Sequence, residues 1–470
     1  MSRNGTIDLP LEVKSVDEAV AVVISTIMKK GELVHDKKSR QGNFIETRNL
    51  QFVLTEPLKR IAVNKKRPIN LIVGVARFVW MISGSDRVED IAYYQPQIRF
   101  YTDNGLSVPG SNYGTRLFQP QAGIDQIHDV IEILKENPAS RRACASIWQP
   151  TDASRLSSKD MPCAFGLNFE IRNGKLFSTL VMRSNNAVTL LHVNLFEFTL
   201  LGEIVARELG VEYGGHVHYV FSMHIFQTDE AIATETIKFF KKIDVDDVFF
   251  TMPTMPSEPS ALEEAKKLAR FEAELRNQNV FKDLISLDDH LEKAKNHFHP
   301  YWYEFYKILA IGTLVRIENF KKAFELAHSL EPYFRWSMIS QLKILEKKVT
   351  DNKKLSLDVF IDEEKSKFEN LKSVYSLSTD DKNIFKNKVQ LICREWDKTH
   401  FKKKSTANIV KQVINVMLQS AATVAASSEY KKHHPSTKNF DDYLKVSKKE
   451  VFGIIRDILD KNDQRSSKLM

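Results

Sequence analysis

Apolar positions along the chain follow two rhythms, one helical and one strand-like. Ser15-Val16-Asp17-Glu18 has the form of a capping box, and AVAVVISTIMKKG behind it predicts an amphipathic helix that stops at Gly31. LQFVLTEPLKRIAV predicts a strand ended by Pro57, and INLIVGVARFVWMIS a buried helix ending at Gly84 in spite of its arginine. Residues 85–122 are rich in turn formers, and TDNGLSVPGSNYG predicts a surface excursion. IDQIHDVIEILKENP repeats its apolar residues at helical spacing and predicts a helix stopped by Pro138.

From 142 to 222 the rhythm changes to that of strands: ACASIW, FGLNFEI and KLFSTLVM. The last two are joined by Asn173-Gly174, a pair suited to the positive-φ turn of a tight hairpin. NLFEFTLLGEIVARELG predicts a long helix closed by Gly210, and HVHYVF a final strand. Beyond about 260 the periodic stretches are helical: ALEEAKKLARFEAELRN, YWYEFYKILAIGTLVRIENFKKAFELAHSL and NIVKQVINVMLQSAATVAAS. Lysine becomes dense near Thr350-Asp351-Asn352. The chain is accordingly divided into an α+β part at 1–335 and a helical, lysine-rich extension at 336–470.

Composition adds little except at the cysteines. Of 470 residues, 43% are hydrophobic and 27% charged, which is ordinary for a globular chain. The net charge of +8 suits an anionic partner, and equally a basic surface that keeps the protein in solution. Cys144, Cys163 and Cys393 are too scattered for a disulfide framework or a zinc ribbon, so a reducing, cytoplasmic setting is expected. The start of the chain lacks the apolar core of a signal peptide, and INLIVGVARFVWMISG is too short and too polar to span a membrane. The tail mixes FKNKVQ and HFKKKST with acidic DEEKSKFEN and lacks the aromatic-basic interleaving of a nucleic-acid surface. His216, His218 and His224 have no acidic or thiol ligand close in sequence, so no metal is expected. Cys144, in a strand, and Cys393, in a helix, read as core residues, as do the aromatics of FHPYWYEFYKILAIGTL.

The chemistry gathers elsewhere. Arg141-Arg142 opens one strand, Cys163 opens another, and Arg183-Ser184 ends the hairpin. Antiparallel pairing is expected to bring them together. Three arginines and a hydroxyl beside one thiol favour thiolate and offer multi-donor recognition of a phosphate. A nucleophile next to a phosphate site points to covalent catalysis on a phosphorylated small molecule.

DQIHDVIEILKENPASRRACASIWQPTD, MPCAFGLNFEIRNGKLF, MRSNN, HVNLFEF and HVHYVFSMHIF, in that order, resemble the thymidylate synthase family. The resemblance runs from about residue 40 to 230 and more loosely to about 335. It implies a large, mostly antiparallel, twisted sheet flanked by helices, and a homodimer. It implies that the Cys163 thiolate attacks carbon 6 of dUMP, and that carbon 5 then takes a one-carbon unit from 5,10-methylenetetrahydrofolate. Arg183 and Ser184 match the pair that holds the nucleotide phosphate. Arg141 and Arg142 match arginines that reach the phosphate from the partner subunit, and Arg40, in SRQG, that of a mobile early loop. Asn194 matches the residue that reads the base: its amide can accept from a ring N–H and donate to a carbonyl, which fits uracil. His224 matches a histidine at the sugar hydroxyl, and Tyr113-Gly114 a pair beside the cleft.

Four positions depart from the family. Arg77 stands where the family has a glutamate that organises proton transfer, and a cation cannot accept a proton. Asn186 replaces an aspartate that contacts the pterin, Ala164 a histidine beside the cysteine, and Phe226 a tyrosine at the sugar. The losses fall on the folate side. Three readings stand: a folate-dependent enzyme making thymidylate or a hydroxymethyl pyrimidine nucleotide, a nucleotide sensor with a relic thiol, and an active scaffold whose tail binds another macromolecule.

Overall fold

The computed structural model describes residues 11–36, 41–118, 123–155, 157–242, 251–277 and 284–349. The chain divides into two units, Met1–Ile344, grouped with Met470, and Leu345–Leu469. Only 345–349 of the second are described, so the extension expected at 336–470 lies outside the described residues from 350 onward.

Seven strands form one sheet: β1 (Leu11–Val13), β2 (Glu32–Val34), β3 (Phe44–Leu54), β4 (Cys144–Ser146), β5 (Ala164–Arg172), β6 (Lys175–Asn186) and β7 (Glu212–Phe226). The order is β1-β3-β7-β6-β5-β4, with β2 also on β3. Pairing is antiparallel except between β1 and β3 and between β6 and β7. The helices are α1 (Val16–Lys30), α2 (Leu71–Ser83), α3 (Val88–Ala92), α4 (Gly114–Leu117), α5 (Gln126–Glu136) and α6 (Leu191–Glu208). After them come α7 (Glu230–Phe240), α8 (Ala261–Asn277), α9 (Leu284–His297), α10 (Pro300–Arg316), α11 (Phe320–His328) and a final helix at 332–349. This is the expected α+β architecture.

The local signals act as the sequence requires. Ser15 accepts from Glu18 N at the start of α1, and Asn70 caps α2 by accepting from Val73 N. Asn173 and Gly174 turn the β5–β6 hairpin at φ 52° and 74°, the pair of positive values that a two-residue hairpin loop needs. Two stretches differ from expectation. ACASIW contributes only Cys144–Ser146 to the sheet, because Ile147 N and Trp148 N both donate to Phe165 O and regular pairing with β5 ends there. The long helical run at 301–330 breaks between α10 and α11, where Glu318 takes φ 57°.

The parallel β6–β7 pair needs a crossover, and α6 provides it, buried along 191–206 against β6, β7, α2 and α8. Alternate strand residues such as Leu180, Val220 and Phe52 are buried on the helix-covered side. On the other side Trp148, Phe165, Phe221 and Tyr219 form an aromatic ladder with centroids 5.3–5.4 Å apart, and Phe221 is 40% exposed. Cys144 is exposed, its thiol donating to Asn168 Oδ1, and not in the core as expected. Its strand is the sheet's last in order, and only one side of it is buried. The excursion TDNGLSVPGSNYG also turns inward: Val108, Asn112, Tyr113 and Gly114 are buried.

Gly114 shows why. A Cβ built there would stand 1.8 Å from Met81 O, so the loop lies on the end of α2 at a distance only glycine allows. Gly114→Ala is expected to destabilise by about 3 kcal/mol, the upper end for overpacking, because the obstacle is backbone. Urea denaturation measures this, and a loss under about 1 kcal/mol would mean that the two segments part easily.

Candidate active site

A cavity of about 310 Å³ opens where the start of β5, the end of β6, the first turns of α6 and the middle of α2 meet the 108–113 and 157–162 loops. Arg77, Tyr113, Cys163, Arg183, Ser184 and Asn194 all line it. One cluster therefore holds five of the residues singled out from sequence and one of the departures.

Cys163 ends the loop before β5, and that loop is built from hydrogen bonds. Gly110 N and Ser111 Oγ each donate to the Asp160 carboxylate at 2.6 Å, tying the 108–113 loop to it. Arg183 on β6 donates from Nε to Pro162 O at 2.8 Å, and its Nη2 lies 3.8 Å from Cys163 Sγ. Burial pushes the Cys163 thiol above its ordinary value. Arg183 and Arg77 oppose that push and offset part of it, while Asp160 adds to it. The expectation that arginines would favour thiolate is thus corrected: desolvation outweighs them here.

Arg77 does not point a bare charge into the core. Its Nε donates to Oε1 of Glu197 on α6, and both side chains are nearly buried. Burial works against the guanidinium's charge, but Glu197 more than restores it. Glu197 belongs to the HVNLFEF motif and was missed as a site residue, because nothing in the sequence pairs it with a helix far upstream. Asn194, one turn earlier on α6, donates to Asn185 Oδ1 at 3.4 Å, and Asn185 Nδ2 lies 3.0 Å from His218 Nε2. Burial holds His218 well below its ordinary range, with His216 adding to the effect, so the ring is neutral. Tyr113 stacks on Phe198 of α6 at 5.5 Å. Gln95 also lines the cavity, with a buried Oε1 that no described residue satisfies, and the sequence reading missed it.

Other expected residues stand elsewhere. Ala143 O accepts from Phe169 N, so exposed Arg141 and Arg142 enter β4 opposite the far part of β5, roughly 20 Å of strand from Cys163. Within one chain they do not meet the thiol. His224 sits behind Ser184, 3.4 Å from its Oγ, and packs against Phe44 and Phe226 outside the cavity lining. Asn186 Oδ1 accepts from Val188 N and Thr189 N, both at 2.8 Å, ahead of α6. Ala164 is a buried strand residue, and Arg40 lies outside the described residues. His216 bonds to Ser178 Oγ, and no group of His, Cys, Asp and Glu among the described residues could hold a metal.

The family model described as "Thymidylate synthase" matches residues 20–295, more than half of the chain. The chain belongs to the thymidylate synthase family. The deoxyuridylate hydroxymethyltransferase of Bacillus phage SP01 is 30% identical over 225 residues, which are 44% of this chain and 56% of that protein. A Methanocaldococcus jannaschii protein named "Putative thymidylate synthase" is 34% identical over 218 residues, 45% of this chain and 88% of that protein. The deoxyuridylate hydroxymethyltransferase of Pseudomonas phage M6 is 30% identical over 194 residues, 41% and 55% respectively. The chain thus spans little more than half the length of these phage relatives. Among the described residues no helix is long and apolar enough to cross a membrane.

The family uses a folate, and the cavity fits one in part. Ile98, Tyr101 and Leu190 give the cavity an apolar wall, with Tyr101 and Leu190 more than a third exposed, which suits a flat ring. Asn186, which replaces the family's pterin-contacting aspartate, spends its oxygen on the backbone.

Alkylation tests the thiol's state. In a Cys144→Ser background, iodoacetamide labelling of Cys163 is expected to rise only at pH above the ordinary thiol range. Arg183→Gln removes a cation that opposes the upward shift, so labelling at a fixed pH should slow further. Faster labelling in Arg183→Gln would contradict this.

Proposed function

We propose that this protein transfers one carbon to carbon 5 of a pyrimidine nucleotide, dUMP above others, through a covalent adduct on Cys163. The observation that carries this reading is the convergence of Cys163, Arg183-Ser184 and Asn194 on one cavity. Arg183 and Ser184 bind the phosphate. The Asn194 amide, oriented by Asn185, accepts from the ring N–H of uracil and donates to its carbonyl. Cys163 Sγ then faces carbon 6 of the base. Its thiolate forms the S–C6 bond, the C5–C6 π pair becomes the C4–C5 π bond and the C4–O4 π pair moves onto the oxygen, and the resulting enolate makes carbon 5 nucleophilic. Ile98, Tyr101 and Leu190 would hold 5,10-methylenetetrahydrofolate, which would supply the one-carbon unit when bound. Hydroxymethylation is the second reading of the product, and the names of the phage relatives favour it.

The active form we infer is a homodimer closed over the uncovered sheet face, whose aromatic ladder is apolar enough to bury. In such a dimer Arg141 and Arg142, remote from their own thiol, would serve the partner's phosphate. The catalytic part is assigned to 1–335 and the remainder to an appended extension.

Two measurements test this. Tritium release from dUMP labelled at carbon 5, with the folate present, is expected from wild type and not from Cys163→Ala, which should still bind the nucleotide. Dihydrofolate formation then separates methyl from hydroxymethyl product. Arg183→Ala should weaken dUMP binding roughly ten- to a hundred-fold, as loss of a charge-assisted contact does. Binding without release in the wild type would favour the sensor. Separately, Phe221→Asp should convert a dimer to monomers in sedimentation velocity, and an unchanged dimer would place the interface elsewhere.

A further inference from the structure

Four arginine–carboxylate pairs in the described residues are nearly buried: Arg276, which bonds Glu272 and Asp90, and three more, of which one differs from the others. Arg116 donates from Nε, Nη1 and Nη2 to Pro109 O, Ile147 O and the Asp152 carboxylate. Arg60 is 0% exposed and bonds Pro57 O and Glu203. Both hold the fold: Arg116 uses all three of its nitrogens, and the one Arg60 nitrogen with no partner among the described residues, Nη1, is buried away from any solvent. Arg77 engages only its Nε, through Glu197, and no hydrogen bond joins either Nη to another described residue. Its side chain remains 11% exposed and lines the cavity that contains Cys163. A nearly buried pair whose guanidinium shares a cavity lining with Cys163 is more than a structural clamp.

The helix fixes where that guanidinium is anchored. Asn194 and Glu197 are three apart on α6 and share a face, so the anchor of Arg77 lies one turn from the amide assigned to the base. We propose that Arg77 is a catalytic residue: held by Glu197, its Nη groups donate to the base carbonyl oxygen that becomes anionic when Cys163 adds. The inference rests on the thiolate addition proposed above. In that step the S–C6 bond forms, the C5–C6 π pair becomes the C4–C5 π bond, and the C4–O4 π pair moves onto O4. No proton has to move for the charge to be met. A guanidinium stays protonated throughout and, being anchored, needs no reorganisation as the charge appears. Its bond to a neutral carbonyl is weaker than its bond to the enolate, and only that difference accelerates the step. Glu197 is a positioning residue. The position where a proton-accepting glutamate was expected therefore holds a cation suited to anion stabilisation.

Removing Arg77 alone would strand a buried carboxylate, so the test removes both charges in Arg77→Met/Glu197→Gln, a change that buried pairs tolerate. The readouts are melting temperature, dUMP affinity by calorimetry, and exchange of the carbon 5 tritium of dUMP with solvent, with Cys163→Ala as control. The double variant is expected to melt near wild type and to bind dUMP within about threefold, since the ground-state contact is to a neutral oxygen. Exchange should fall about 100-fold or more, as on loss of an oxyanion donor. Glu197→Gln alone, which keeps an acceptor for Nε, should exchange faster than the double variant with unchanged dUMP affinity. Exchange in the double variant within a few-fold of wild type overturns the role of Arg77 alone. So does a fall in affinity as large as the fall in rate, and so does Glu197→Gln exchanging no faster than the double variant. A wild type no more active than Cys163→Ala overturns the thiolate addition, and this inference with it.

Discussion

A carboxylate taken out of water needs a cation or several hydrogen-bond donors, and α6, buried along most of its length, carries two that meet arginines. Glu203 meets Arg60 at 2.7 Å, and Glu197 meets Arg77. An unpaired buried charge costs several kcal/mol, so these contacts constrain where the 57–60 turn and α2 can lie against the helix. With those segments fixed, the last strands and the cavity between them have little freedom. Glu203 also accepts from Met255 N, which brings the segment leading into α8 to the same helix. The site is thus assembled from elements that are held in register from behind, by charge.

The chemistry at the cavity follows from that arrangement. Arg183 is not a free phosphate hook in this conformation: it holds the backbone of the loop that presents Cys163. One residue thus links the end of β6 with the loop that carries the Cys163 thiol, which suits the proposed reaction, in which binding and attack must share a geometry. Behind the cavity the Asn194, Asn185 and His218 chain ties the Asn194 amide to a neutral core histidine. The same strands supply both sets of residues, because β6 carries Arg183, Ser184 and Asn185 in succession.

Much of this was legible in the chain. Helices α1, α2, α5, α6, α8 and α10 were visible from their period, the hairpin from Asn173-Gly174, and Cys163, Arg183 and Asn194 from motifs whose order matches the family, whereas α3, α4, α7 and α9 were not singled out. What stayed hidden depended on contacts between distant segments. Arg77 looked like a lost glutamate, since its partner lies 120 residues away and only the fold reveals the pair. TDNGLSVPGSNYG has the composition of an exposed loop, yet Gly114 and Asn112 draw it in, Asn112 by bonding Trp80 O at 3.0 Å. The desolvation of Cys163 is likewise a property of the closed cavity and not of its neighbours in sequence.

The order of the strands has a consequence for how such a chain reaches its native state. The β5–β6 hairpin is local and closed by a two-residue turn, whereas β3 pairs with β7 from Phe44↔Phe226 to Leu54↔His216, across most of the family-matched region. Closing so long a loop carries a large entropic penalty before any ladder contact offsets it, and folds dominated by such pairings form slowly. The hairpin that bears Arg183 can therefore form early. The half of the sheet built on β3 must wait for the whole intervening chain, and until then β7 has an unpaired edge open to other chains.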